Sequence, residues 1–143
     1  MGRRASRDIA MKLLYQLEIQ KEDKEEQIDI TLAQNDLSKN DRNYVLDVVK
    51  GVFENLSYID KVIDKYSKGW KINRISKVDL SILRLSIYEI GFMNDIPFSV
   101  SVNEAVELAK KYSNEDAGSF VNGILGKVSK ARILPLESSD EEV

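Results

Sequence analysis

The sequence has 143 residues, of which 43% are hydrophobic and 31% charged, enough for one compact domain with a buried core and too few for two independent ones. With no Cys and no His, disulfides, thiolate nucleophiles, zinc sites and imidazole acid–base pairs are excluded by inventory. The net charge of −3 gives no general attraction for a polyanion, so any anion site has to be local.

Apolar spacing along the chain is helical throughout, and it predicts helices near 5–21, 27–35, 39–54, 57–67, 75–92, 102–112 and 114–131. In the first, Ile9, Leu13, Leu14 and Leu17 form a stripe at three- and four-residue steps. Arg3, Arg4 and Arg7 gather at its start, where positive charge opposes the helix dipole and where Asp or Glu would be expected. A local rule broken three times points to function. The guanidinium fork suits phosphate, and Tyr15, two turns beyond Arg7, falls on a neighbouring arc where it can stack a base. A solvated, frayed terminus is the other reading of the same cluster, and on either reading removal of one arginine is expected to leave stability unchanged or slightly raised.

The polar stretch 20–27 is the first connection. Val45, Val48, Val49 and Val52 mark the third helix, and Ile59, Val62, Ile63 and Tyr66 the fourth. Gly69-Trp70 fits a helix end followed by an anchoring aromatic. The segment 75–92 is apolar nearly all round, with Val78, Ile82 and Leu85 on one stripe and Leu80, Leu83, Ile87 and Ile90 on others, which marks the central helix. Pro97 enforces an extended approach to the sixth helix, and Ile96–Val102 also fits a short strand, although a lone strand would lack a partner. Ser followed three residues later by an acid recurs at Ser38/Asp41, Ser57/Asp60, Ser76/Asp79, Ser101/Glu104 and Ser113/Asp116, each a candidate capping box.

The seventh helix starts with a mixture of aromatic, acidic and small residues from Tyr112 to Gly123, which is open to a core or a ligand reading. Gly118, Gly123 and Gly126 together disfavour a helix by roughly 3 kcal/mol against Ala, so a close approach of backbone or ligand is expected to compensate. Carboxylates such as Glu89 and Glu104 have no nucleophile or phosphate loop beside them, and no enzymatic function is expected. No apolar run reaches the roughly 18 residues of a membrane span, and the basic start leads into a mixed segment unlike a signal peptide. Residues 1–134 are expected to fold as one helical domain, with Pro135 closing it and 135–143 forming an acidic disordered tail.

Four pieces in order resemble the NusB family: Arg3-Arg4-Ala5-Ser6-Arg7 leading to Leu13-Leu14-Tyr15; Leu83-Arg84-Leu85-Ser86-Ile87-Tyr88-Glu89; Ile96-Pro97 followed by Val102-Asn103-Glu104-Ala105; and Phe120-Val121-Asn122-Gly123. The resemblance implies an all-α fold of two packed bundles, three helices and then four. It also implies a cytoplasmic, non-catalytic transcription antitermination factor without cofactor or metal. Such a factor binds the single-stranded boxA element of nascent RNA with the ribosomal protein NusE. It acts with other Nus factors on RNA polymerase, notably in ribosomal RNA operons. By position, the family's RNA-binding segments fall on Arg3, Arg4, Arg7 and Tyr15, and on Tyr112, Asp116, Ser119 and Phe120. Its partner-binding start of the central helix falls on Val78 and Asp79. Ala5 and Ser119 depart from relatives that carry further basic residues there, so weak RNA affinity without a partner is expected. Two rivals share the resemblance. One is a homodimeric interaction protein that hides the arginine surface. The other is an RNA-binding domain like that of ribosomal RNA methyltransferases, whose large cofactor domain is not found after Val143.

Overall fold

The computed structural model describes residues 2–21 and 23–131, which fold into seven α-helices; the expected tail, 135–143, lies outside the described residues. Helix α1 spans Arg3–Ile19, α2 Lys24–Gln34, α3 Lys39–Glu54, α4 Leu56–Tyr66, α5 Lys77–Phe92, α6 Phe98–Tyr112 and α7 Glu115–Ala131, with a 3-10 turn at Ile72–Arg74 before α5. No strand occurs among the described residues, and 96–102 enters a helix instead. Pro97 sits extended at the N-cap and α6 starts at Phe98, four residues ahead of the expected boundary, because a fixed proline φ suits the entry to a first turn.

Local chemistry explains the other shifted boundaries. Asp23 accepts a hydrogen bond from the Glu26 N–H and Glu25 and Glu26 occupy the first turn, so α2 starts three residues earlier than its apolar pattern. Of the five Ser-to-acid pairs, Ser38 and Ser76 cap helices, accepting from the Asp41 and Asp79 N–H groups, each at 3.1 Å. Ser57 lies inside α4, which leaves α3 through the single residue Asn55, and Ser101 lies inside α6. At the head of α7 the cap is made by Asn114, whose side chain accepts from the Ala117 N–H at 2.8 Å, one residue past the expected Ser113.

Helices α1–α3 pack together, α4–α7 form a second group, and α5 joins the two by lying against α1, α3, α4, α6 and α7. Every residue of α5 from Leu80 to Glu89 is buried, as its all-round apolar pattern implies. Val45, Val48, Val49 and Val52 of α3 face it without exposed surface. Gly51 lets the Tyr88 ring approach α3 so closely that a Cβ there would stand 2.3 Å from it. The chain turns after α4 through Lys68 and Gly69, both left-handed at φ +40° and +85°, and this turn carries Trp70 to the surface.

Candidate nucleic-acid interface

Arg4 and Arg7 leave α1 in different directions and meet different carboxylates. The Arg7 side chain is 4% exposed and donates from Nε and Nη2 to the two oxygens of Glu89, at 2.8 and 3.2 Å. Glu89 has no exposed surface and also accepts from Ser101 Oγ at 2.7 Å and from the Tyr44 hydroxyl, so one carboxylate ties α1, α3, α5 and α6 together. Desolvation opposes the Arg7 charge, but the bonds and charge of Glu89 outweigh it and leave Arg7 firmly protonated. Burial first, and then the adjacent Glu89 charge, push the Tyr44 hydroxyl far above its ordinary value, so it stays a donor. Arg7 therefore has no free fork for a phosphate. The expectation that Arg7 stands with Arg3 and Arg4 at an exposed edge, ready to meet RNA, is corrected, and its burial on Glu89 makes a loss of stability on its removal the expected outcome instead.

Arg4 stands in the open, its side chain 78% exposed, with Nε and Nη2 on the oxygens of Glu104 at 3.0 and 2.6 Å. Arg3 is also exposed and lies over the Tyr44 ring, 4.4 Å from its centroid. From Arg4, steps of four, four and three residues lead to Asp8, Lys12 and Tyr15 along one face of α1. Tyr112 and Lys111, at the end of α6, close over that face. The Tyr112 hydroxyl donates to Asp8 at 2.7 Å, and the Lys12 and Lys111 ammonium groups lie 5.2 and 5.0 Å from its ring centroid. Desolvation lifts the Asp8 carboxyl, but the bonds from Tyr112, Lys12 and Lys111 outweigh it and hold Asp8 below the usual range. The result is a hollow of about 590 Å³ lined by Arg4, Asp8, Lys12, Lys111 and Tyr112. With Arg3 beside it, four cations there face the carboxylates Asp8 and Glu104, with Glu107 also close enough to act on Arg4, a slight local positive excess on an acidic chain.

Asp116, Ser119 and Phe120 lie elsewhere, on the first turns of α7. Asp116 and Phe120 line a hollow of about 360 Å³ with Trp70, Arg74 and Asp79. Phe120 meets Trp70 edge to face, centroids 6.2 Å apart, and Ser119 is exposed beside it. Val78 is half-buried against the core, whereas Asp79 turns to the hollow with its Oδ1 buried and without a hydrogen-bond partner, and desolvation raises its carboxyl. Among the described residues no cluster of acids is arranged to hold a metal ion, and no helix is long and apolar enough to cross a membrane.

A match to the NusB family runs over residues 4–130. The transcription antitermination protein NusB of Acetivibrio thermocellus is 66% identical over 145 aligned residues, covering 99% of this chain and 100% of its own length. The chain belongs to the NusB family. A solved T. maritima NusB superposes with a TM-score of 0.82 at 39% identity, covering 91% of this chain and 92% of that one. A chain from the crystal structure of the antitermination factors NusB and NusE in complex with dsRNA also superposes at 0.82, with 30% identity over 90% of this chain and 96% of its own.

Within this NusB-family fold, the residues assigned by resemblance divide into two places. Arg3, Arg4 and Tyr112 gather at the head of α1; Asp116, Phe120 and Asp79 share the hollow between the starts of α5 and α7, so an expected RNA residue and an expected partner residue are neighbours. Tyr15 is exposed farther along α1. Sequence reasoning missed Lys12 and Lys111 as site residues. Lys12 was detectable at i+8 from Arg4 on the same helical face, and Lys111 from the basic pair at the end of the sixth helix. The role of Glu104 had no local signal, since its partner is 100 residues away.

Proposed function

We propose that this chain is a non-catalytic, cytoplasmic antitermination factor that binds the single-stranded boxA element of nascent RNA along the exposed face of α1. NusE binds beside it, and the pair acts with other Nus factors to help RNA polymerase read through terminators in ribosomal RNA operons. The observation that carries the reading is the positive hollow of Arg4, Lys12, Lys111 and Tyr112 on a protein of net charge −3. Cations there meet phosphates, while Tyr15, Tyr112 and the Asp116–Phe120 turn supply stacking surface and base-edge acceptors. Arg7 serves the site from inside, by fixing α1 to α5 and α6 through Glu89. The solved relative assembled with NusE and RNA supports the partner and ligand classes.

Gel shifts with boxA, scrambled single-stranded and duplex RNA, each with and without NusE, test this at fixed salt. Preference for boxA that strengthens with NusE is expected. Equal affinity for all three RNAs, or no effect of NusE, would remove the proposal.

A further inference from the structure

Arg4 is largely exposed, and yet one edge of its guanidinium is already filled. Glu104 takes the Nε and Nη2 donors side by side, one carboxylate oxygen on each, which is the two-point geometry a phosphate uses on the same fork. The acid comes from far along the chain. It stands on α6, 100 residues from Arg4, and its side chain is only 15% exposed, with the buried Arg7 Nη1 3.9 Å from its Oε1. Its charge therefore arrives at the site with the fold and cannot swing aside as that of an exposed side chain can. Glu107, one turn further along α6, acts on the same guanidinium through its charge. Asp8 engages the rest of the hollow in the same way, accepting from Tyr112 and pairing with Lys12 and Lys111. Stability has little need of the Arg4 pair. Arg7 and Ser101 already join α1 and α6 to Glu89 in the interior, and an ion pair whose arginine stands in solvent adds little.

We propose that Glu104 sets the RNA affinity of this chain, as a fixed internal counter-anion that occupies Arg4 in the free protein and that a phosphate of the strand has to displace. This rests on the reading of the α1 face as the RNA face. A phosphate arriving at Arg4 gains the bonds of the fork but forfeits those of Glu104, and an acid stays beside the bound strand. Arg4 then counts for less than one phosphate neutralised. The chain by itself is thereby kept from holding any passing RNA through charge alone, and what remains is the part of the affinity that base contacts and the partner supply.

The test follows end-labelled boxA and scrambled single-stranded RNA by anisotropy, against the full chain and against Glu104→Gln, across a salt series. The amide keeps the size of the side chain and loses its charge. One more phosphate fully neutralised steepens the slope of log affinity against log salt by about 0.7. Screening removes the difference near about 1 M salt, so affinity for both RNAs should rise roughly fivefold at about 0.1 M. Glu107→Gln removes the same charge one turn away without freeing the fork, and it should change affinity much less. Thermal melts check that the variants fold. Should Glu104→Gln be unstable, Glu104→Asp, which keeps the charge but is one methylene short of the fork, should still raise affinity. Affinity unchanged in Glu104→Gln, or raised equally by Glu107→Gln, overturns the proposal, because the acid then acts as one surface charge among others. A fall in affinity overturns it too, since Glu104 would then be holding Arg4 toward the strand. In each of these cases RNA binding on α1 stands. If neither the parent nor the variants bind RNA, with or without NusE, both readings fall.

Discussion

Arg4 and Arg7 are three residues apart on one helix, and burial divides their roles. Arg7→Ala leaves the unexposed Glu89 carboxyl without its cation, a change that costs roughly 3–5 kcal/mol in comparable buried pairs. Urea denaturation of Arg7→Ala should therefore show a large loss, with Arg4→Ala close to the parent. RNA affinity should divide the other way once folding is controlled, with Arg4→Ala weakened for boxA and scrambled RNA alike. An Arg7→Ala protein as stable as the parent would contradict the buried network. This distinction was partly legible in the sequence. Arg7 continues the Met11–Leu14 line of the buried face, whereas Arg4 continues the Asp8–Lys12 line. The identity of the buried partner was not legible, because Glu89 is 82 residues away and its acid looks no different from any other until α5 packs.

Among the helices, α5 was the most legible, since a segment apolar on all sides has only the middle of a helical protein to occupy. The caps were less so. A Ser with an acid three residues on also occurs inside helices, where Ser101 turns to Glu89 and its N–H joins the helix ladder instead. Two glycines make opposite predictions. Gly51→Ala drives a methyl into Tyr88, loosening its 2.5 Å bond to Asp47, and should lower stability by about 1–3 kcal/mol; Gly126→Ala meets open space and should raise it by up to about 1 kcal/mol. Thermal melts of both variants check the pair. The carboxylates that pin α1 to its neighbours give a pH dependence. Glu104 is held below its ordinary 4.5 by the Arg4 bond, and in Glu18 desolvation is outweighed by Arg84. Since the folded values are depressed, their contribution is complete above the ordinary value and is lost as pH falls through the lower folded one. Melts between about pH 6 and pH 3 should show that loss, and Glu18→Gln should make it smaller. An acid limb unchanged in Glu18→Gln would show that the pair does not act this way.

For the whole molecule, the all-α class followed from periodicity and the three-plus-four grouping from the resemblance, while the candidate site is assembled from α1 and the end of α6. Tyr112 and Lys111 close on Asp8 only when α6 lies along α1, so no window of sequence contains that hollow. Its positive excess is small, and the protein alone should bind RNA weakly; NusE should strengthen binding by adding basic surface and reducing the ordering cost. Isothermal titration at two salt concentrations, with and without NusE, checks this, and equal affinities would count against coupling.

The Glu89 hub also sets an order of events during synthesis. Arg7 lacks its buried partner until Glu89, 82 residues further along, has been made, and the fourth element of the hub waits for Ser101. At about 5–20 residues per second, the first three helices are made a few seconds before Glu89 can join them. Completion of the packing around Arg7 is therefore expected to wait for the sixth helix. A ribosome-stalled chain ending before Glu89 should stay protease-sensitive, and one long enough to expose Ser101 should become resistant along its whole length in a single step.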